Sequence, residues 1–199
     1  MFYSLSKRIS NRLVDKGVIS NDEDDICSYG LFMIFSHTSL FIVTIIFGFL
    51  LKQPLKSILF YIQFQVIRRY AGGYHASSEW KCNALSALST FVCIWLMTNT
   101  DINNAFIIVL TITIVSAILI ALFCPVDTKE KPLSDKEFRH FRKITIIVLL
   151  VFACIIIILM LFGQKAWTLP TCFSVILESI LLIAGKVKNS FSSKKVVQN

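Results

Sequence analysis

Six apolar segments, separated by short polar and charged stretches, constrain the fold of this chain more than any other feature. They cover residues 29–51, 54–66, 83–98, 105–124, 144–162 and 169–184. Three of them approach or exceed the roughly 20 residues that a helix needs to cross the hydrocarbon of a bilayer. With 55% hydrophobic residues and a mean hydropathy of +0.71, the chain is too apolar for a soluble domain of its size. We therefore predict an all-α integral membrane protein with six transmembrane helices, residues 1–199 forming one polytopic domain.

The second apolar segment, residues 54–66, is short for a span because it holds only 13 residues. Two interpretations remain open. The segment is either a tilted span completed by Arg68-Arg69-Tyr70, or a re-entrant segment buried in protein.

The distribution of Lys and Arg tests these interpretations. With the N-terminus in the cytoplasm and six crossings, the inner segments are 1–28, 67–82, 125–143 and 185–199, and they hold 17 of the 20 Lys and Arg residues. Such a bias is typical of cytoplasmic loops. It favours six crossings, both termini in the cytoplasm, a cytoplasmic 67–82 loop and a basic cytoplasmic tail at 185–199. The net charge of +8 is explained by this bias, and no nucleic-acid partner is predicted.

The N-terminal segment has the pattern of an amphipathic helix from Phe2 to Gly17. Phe2, Leu5, Ile9 and Leu13 recur at spacings of three and four. This pattern predicts either a helix that lies on the bilayer surface or an ordinary helix docked on the protein.

The 67–82 loop contains a histidine and a cysteine, which together can supply the general base and the nucleophile that thiol-based acyl transfer needs. If His75 and Cys82 lay in one continuous helix, they would be about 10 Å apart along its axis, too far for a nucleophile and its base. A break between them is therefore required, and Gly72-Gly73 and Ser77-Ser78 could supply it. The alternative is a glycine-rich turn with an incidental histidine.

We expect a helix to begin near Glu79, where a carboxylate suits the helix dipole. Cys82 then lies within about one turn of the helix N-terminus. That position, together with Arg68, Arg69 and Lys81 nearby in the sequence, favours the thiolate form.

The stretch Arg68-Arg69-Tyr70-Ala71-Gly72-Gly73-Tyr74-His75, followed seven residues later by Cys82, resembles the accessory gene regulator protein B (AgrB) family. These are membrane endopeptidases of bacterial quorum sensing. The resemblance implies that His75 and Cys82 are the catalytic pair and that Arg68 and Gly73 are also needed for activity. Arg69, Gly72 and Glu79 are candidate supporting or substrate-binding residues.

The resemblance further implies a substrate, a reaction and a location. The substrate is a small precursor peptide with an acidic C-terminal tail, and the tail is released through a Cys82 thioester. The product is a cyclic thiolactone or lactone peptide, made in the bacterial cell membrane. No cofactor or metal is expected. The predicted partners are the precursor and the lipid bilayer, with a homodimer as a further possible assembly.

Other charged groups leave alternatives open. Arg68 or Arg69 could bind substrate carboxylates, as could the basic residues of 125–143, although these also serve to set topology. Glu178, an ionisable residue within an apolar segment, could orient His75 or be paired structurally. Together with His37 it would also permit a transport path, so the competing class is a non-enzymatic peptide exporter or membrane scaffold.

Overall fold

The computed structural model describes residues 2–74, 79–126 and 134–197. The α-helices in these ranges are α1 Phe2–Asp15, α2 Asp24–Leu50, α3 Pro54–Ala71, α4 Glu79–Asn99, α5 Ile102–Phe123, α6 Asp135–Leu161 and α7 Leu169–Val197. Apart from one isolated backbone bridge between Gly72 and Val126, the described ranges contain no strand pairing. The prediction of an all-α protein is confirmed.

Five helical segments are long and apolar enough to cross a membrane, namely residues 21–50, 80–99, 102–123, 135–161 and 165–190. Helix α3 is not among them, because Lys56, Arg68 and Arg69 lower its hydropathy. Its 18 residues would nevertheless measure about 27 Å, close to the thickness of the hydrocarbon. The count of six spans therefore stays a prediction.

The chain divides into two compact units, residues 1–43 and 44–199. The division falls inside α2 rather than in a linker. The interpretation of residues 1–199 as one polytopic domain stays a prediction.

In the first unit, α1 confirms the predicted N-terminal helix. Its buried residues are the small Ser6 and Ser10, and the Ser10 hydroxyl donates to the backbone carbonyl of Asp24 at 3.0 Å. The Lys7 ammonium lies 2.6 Å from the Asp24 carboxylate, and this hydrogen bond raises the pKa of Lys7 above its usual range. Leu5, from the apolar stripe, remains 44% exposed. Phe2, Ile9 and Leu13 of the same stripe are half-buried, so the choice between a helix on the bilayer surface and a helix docked on the protein stays open.

In the second unit, α7 is the most enclosed of the candidate spans. Its buried polar residues include Thr171, Ser174, Glu178 and Ser179, and Thr168 just before the helix is buried as well. The hydroxyls of Ser174 and Ser179 donate to carbonyls of the preceding turn, each at 2.8 Å. Because neighbouring helices shield α7 from lipid, it can carry polar side chains that a lipid-facing helix would bear only at high cost.

Helix α3 packs along α7 and runs in the same direction. Near the start of both helices, the Lys56 ammonium lies 5.8 Å from the centre of the Trp167 ring. Just after the end of α3, the amide of Tyr74 donates to the Leu181 carbonyl at 2.9 Å. Phe60 belongs to the core that joins the two helices. Two consecutive membrane-spanning helices run in opposite directions. Because α3 and α7 are parallel, the helices between them must bring the chain back to the side where α3 begins.

Helix α5 has the same direction as α3 and α7. Lys165 lies over the ring of Phe106 near the start of α5, and Lys186 lies over the ring of Phe123 at its end. Helix α3 therefore begins and ends at the same two ends of the second unit as α5 does. This placement favours the crossing interpretation of α3 over the re-entrant one.

The tight contact between α2 and α3 generates a prediction. A Cβ atom added at Gly48 would lie 2.9 Å from the Cα of Pro54 and 3.0 Å from the side chain of Ser57. Because the nearest atom belongs to the backbone, Gly48→Ala must separate the two helices, and we expect a loss of about 1–3 kcal/mol. The measurement is the thermal unfolding midpoint of the protein in detergent.

Gly30→Ala is the matched control, because a Cβ at Gly30 of the same helix meets nothing within 4 Å. Alanine also has the higher helix propensity. Equal midpoints for the two variants would contradict the predicted close packing at Gly48.

Candidate active site

Helix α3 ends in a glycine turn that comprises residues 72–74. Gly72 has a φ of +78° and Gly73 a φ of +141°, values that side-chain-bearing residues rarely adopt. The amide of Gly72 still donates to the Arg68 carbonyl, at 3.1 Å, which closes the last turn of the helix. The turn at Gly72-Gly73 is therefore present, whereas the break required between His75 and Cys82 involves residues outside the described ranges and stays a prediction.

Backbone contacts hold the first residue of the turn against the segment that follows α5. The amide of Val126 donates to the carbonyl of Ala71 at 2.9 Å. A Cβ at Gly72 would collide with the Val126 carbonyl oxygen. Gly72 is thus required for both its backbone conformation and the space that it leaves.

The second glycine of the turn packs against α7. A Cβ added at Gly185 would lie 2.7 Å from the carbonyl carbon of Gly73 and 2.8 Å from the amide nitrogen of Tyr74. The next contact along the chain is the hydrogen bond from the Tyr74 amide to the Leu181 carbonyl. The turn is therefore seated on the side of α7 rather than beyond its end, because α7 continues to Val197.

Arg68 lies under this turn and joins it to α7. Its Nη2 donates to the Tyr74 carbonyl at 2.7 Å, and its Nη1 lies 3.7 Å from Oε2 of Glu178. The side chain of Arg68 is 19% exposed and that of Glu178 is fully buried. Gly73 covers the pair, since a Cβ there would lie 2.9 Å from Nη1 of Arg68. A guanidinium so engaged is poorly available to bind substrate carboxylates, whereas the neighbouring Arg69 is exposed.

Helix α4 begins at Glu79, as predicted, and Cys82 lies in its first turn. The thiol of Cys82 is free and partly exposed, whereas Cys93, Cys124 and Cys172 are buried. The first N–H groups of a helix have no partner within the helix, and they favour negative charge nearby. This is a suitable place for a cysteine nucleophile.

Three of the sequence predictions concern residues outside the described ranges. His75 and the possible break at Ser77-Ser78 lie there, as do Lys129 and Lys131 of the basic loop. The backbone of Glu79 is described as part of α4, but its side chain is not.

The end of the second unit that carries the glycine turn is basic. The exposed side chains Lys136, Arg139, Arg142 and Lys143 belong to the first turns of α6. The ring of Phe141 lies 6.2 Å from that of Tyr70, and Lys188 lies 5.1 Å from the ring of Tyr74. Positive charges of α3, α6 and α7 therefore lie at the same end of the second unit as the turn.

Sequence reasoning missed Gly185 and Val126 as partners of the turn. The only signal for Gly185 is a glycine at the boundary between the last apolar segment and the basic tail, and nothing in the sequence points to Val126. The sequence shows Glu178 as a carboxylate in an apolar segment, but no local pattern indicates its pairing with Arg68.

Comparisons with known proteins agree with the motif. The family model described as Accessory gene regulator B matches residues 6–182. An AgrB-like protein of Clostridium perfringens (strain SM101 / Type A) is 28% identical over 192 residues, covering 92% of this chain and 88% of that protein. Accessory gene regulator protein B of Staphylococcus epidermidis is 28% identical over 163 residues, covering 82% and 73%. Protein FsrB of Enterococcus faecalis is 22% identical over 198 residues, covering 92% and 79%.

No solved structure matches the chain. The family match nevertheless extends over most of the chain and includes the 68–82 motif and Glu178. The chain therefore belongs to the accessory gene regulator B family, which acts in bacterial quorum sensing.

Proposed function

We propose that this protein is a membrane cysteine endopeptidase that processes a small autoinducer precursor peptide, with Cys82 as nucleophile and His75 as general base. The observation that carries the proposal is the position of Cys82. It is a free, partly exposed thiol in the first turn of α4, and α3 ends before it in the fixed glycine turn 72–74. The turn ends α3 before His75, and the break between His75 and Cys82 remains part of the proposal.

The proposed reaction has two acyl transfers. His75 takes the thiol proton of Cys82, and the sulfur attacks a peptide carbonyl near the C-terminal part of the precursor. The C–N bond then breaks, the imidazolium gives its proton to the leaving amine, and the acidic tail departs. The rest of the precursor stays joined to Cys82 as a thioester.

In the second transfer, a Cys or Ser side chain of the same peptide attacks the thioester carbonyl after giving its proton to His75. The bond to the Cys82 sulfur breaks, the sulfur recovers the proton, and a thiolactone or lactone ring leaves. Water must be excluded from the thioester, since hydrolysis would release a linear peptide. A site at a membrane interface, flanked by packed helices, suits this requirement.

Arg69 is the better candidate of the two motif arginines for contact with the acidic tail. It is exposed, whereas Arg68 is engaged with Tyr74 and Glu178. The exposed residues Arg139, Arg142 and Lys143 at the start of α6 add positive charge at the same end of the second unit. Complementary charge of this kind speeds encounter and orients a peptide.

The first prediction of the proposed mechanism concerns the catalytic pair. Cys82→Ala should abolish cleavage of the precursor, and His75→Ala should lower its rate by about two to four orders of magnitude, since a general base contributes that much. The substrate to test is a short peptide with a central Cys or Ser and an acidic tail, which we expect a neighbouring reading frame to encode. Product formation is followed by mass spectrometry at equal levels of inserted protein.

Cys154→Ala is the matched control, because Cys154 is an exposed cysteine of α6 that has no proposed role. It should cleave at the unchanged rate. Normal cleavage by Cys82→Ala would refute the mechanism and favour the exporter or scaffold class.

The second prediction concerns thiol reactivity and needs no substrate. In membranes at about pH 7, iodoacetamide should modify Cys82 faster than Cys27, because only Cys82 has the proposed base. Both thiols are partly exposed, so access alone does not separate them. Equal, slow labelling of the two cysteines, unaffected by His75→Ala, would argue against an activated nucleophile.

The third prediction concerns orientation. We propose that both termini and the glycine turn face the cytoplasm, because the basic end of the second unit lies there under the positive-inside rule. In a chain without its native cysteines, Lys165→Cys should react with a membrane-impermeant maleimide added to whole cells. Arg139→Cys should react only after the membrane is opened. The reverse pattern would invert the proposed topology.

A further inference from the structure

Glu178 is a buried carboxylate of α7 that lies beside the glycine turn. Its carboxylate is fully buried in a helix of the membrane core, and neither oxygen accepts a hydrogen bond within the described part of the chain. Its one ion-pair partner there is Arg68, at 3.7 Å. A buried charge is costly and persists where a specific partner requires it.

Glu178 orients the guanidinium of Arg68. The carboxylate attracts the Nη1 side of the guanidinium, and the planar fork then presents Nη2 to the Tyr74 carbonyl at 2.7 Å. Without this negative charge, the Arg68 cation would lose its neutralising partner in the protein interior and would move toward solvent. The Tyr74 carbonyl would then lose its charged donor.

Gly185 acts on the same turn from one helical face of α7. Glu178, Leu181 and Gly185 follow one another at spacings of three and four, so they lie on one side of the helix. Leu181 accepts from the Tyr74 amide, and the missing side chain of Gly185 leaves room for Gly73 and Tyr74. One strip of α7 thus contacts the backbone immediately before His75.

We propose that Glu178 and Gly185 are positioning residues for the endopeptidase reaction, which hold the 72–74 turn on α7 and so set where the segment that begins at His75 leaves it. This inference rests on the proposed function and extends it to the last helix. Neither residue is proposed to touch the substrate. Their loss should therefore lower kcat while leaving KM almost unchanged.

The test compares Glu178→Gln with Ser174→Ala, a substitution of another buried polar residue of α7. We expect Glu178→Gln to lower kcat for the neighbouring-frame peptide about 10- to 100-fold, within the range for a misplaced catalytic group, and to change KM less than about twofold. Ser174→Ala should retain both constants. An unchanged kcat in Glu178→Gln, with Cys82→Ala inactive, would overturn the inference but not the proposed function.

Gly185→Ala tests the inference without changing a charge. The added methyl would lie 2.7 Å from the Gly73 carbonyl carbon, so it should displace the turn and reduce kcat to a similar extent. Gly30→Ala, which meets open space, should leave kcat unchanged. If Glu178→Gln fails to accumulate in the membrane, Glu178→Asp replaces it, because it keeps the charge and should lose only part of kcat. Full activity in Gly185→Ala would overturn the inference.

A crosslinking measurement decides the positioning role independently of catalysis. Lys188 lies 5.1 Å from the Tyr74 ring, so Tyr74→Cys and Lys188→Cys should be joined by a short bis-maleimide in a chain without native cysteines. Adding Glu178→Gln should reduce the crosslinked fraction severalfold, and adding Ser174→Ala should not. Undiminished crosslinking would overturn the inference. If crosslinking falls but Cys82→Ala still cleaves its peptide, the turn is positioned as inferred and the proposed chemistry is wrong.

Discussion

The buried ion pair between Arg68 and Glu178 is the interaction on which the candidate site depends. A carboxylate in a membrane helix is tolerated only where neighbouring helices exclude lipid and a nearby cation neutralises its charge. Removing one partner of such a pair commonly costs about 3–5 kcal/mol, because the other charge remains buried and uncompensated. Here the pair has a geometrical consequence as well. The same guanidinium that faces Glu178 donates to the Tyr74 carbonyl, so the charge balance of the core and the course of the turn are set together.

The central position of α7 follows from the same constraint. Helices such as α5 and α6 leave apolar side chains at the surface, where lipid can cover them. Helix α7 instead carries hydroxyls, Glu178 and Gly185, and it is enclosed by α3 and α5. Its polar strip would be unfavourable in lipid but is well suited to seat a backbone turn. A glycine-to-glycine contact between positions 73 and 185 brings that backbone close enough for the Tyr74 amide to reach Leu181.

Much of this arrangement was predictable from local sequence. The apolar lengths predicted the helices, the double glycine predicted the end of α3, and the helix that starts at Glu79 places Cys82 in its first turn as expected. From the sequence, Arg68 and Arg69 are equal candidates for binding substrate carboxylates, because residue spacing does not reveal that a carboxylate 110 positions away faces the Arg68 guanidinium. Similarly, α3 falls short of the hydropathy of a span, yet it packs from end to end along α7.

By itself, the sequence determined that this chain is a helical membrane protein with a His/Cys loop at a basic boundary, because apolar length, charge placement and glycine positions act locally along the chain. Only the tertiary structure decided that α7 holds the glycine turn at 72–74 and that Glu178 is the counter-charge of Arg68. Both depend on the packing of α3 against α7. The buried carboxylate needs a cation close by, and the backbone of the turn needs a surface of α7 that carries no side chain. Because these contacts join segments that are far apart in the sequence, no local sequence pattern predicts them.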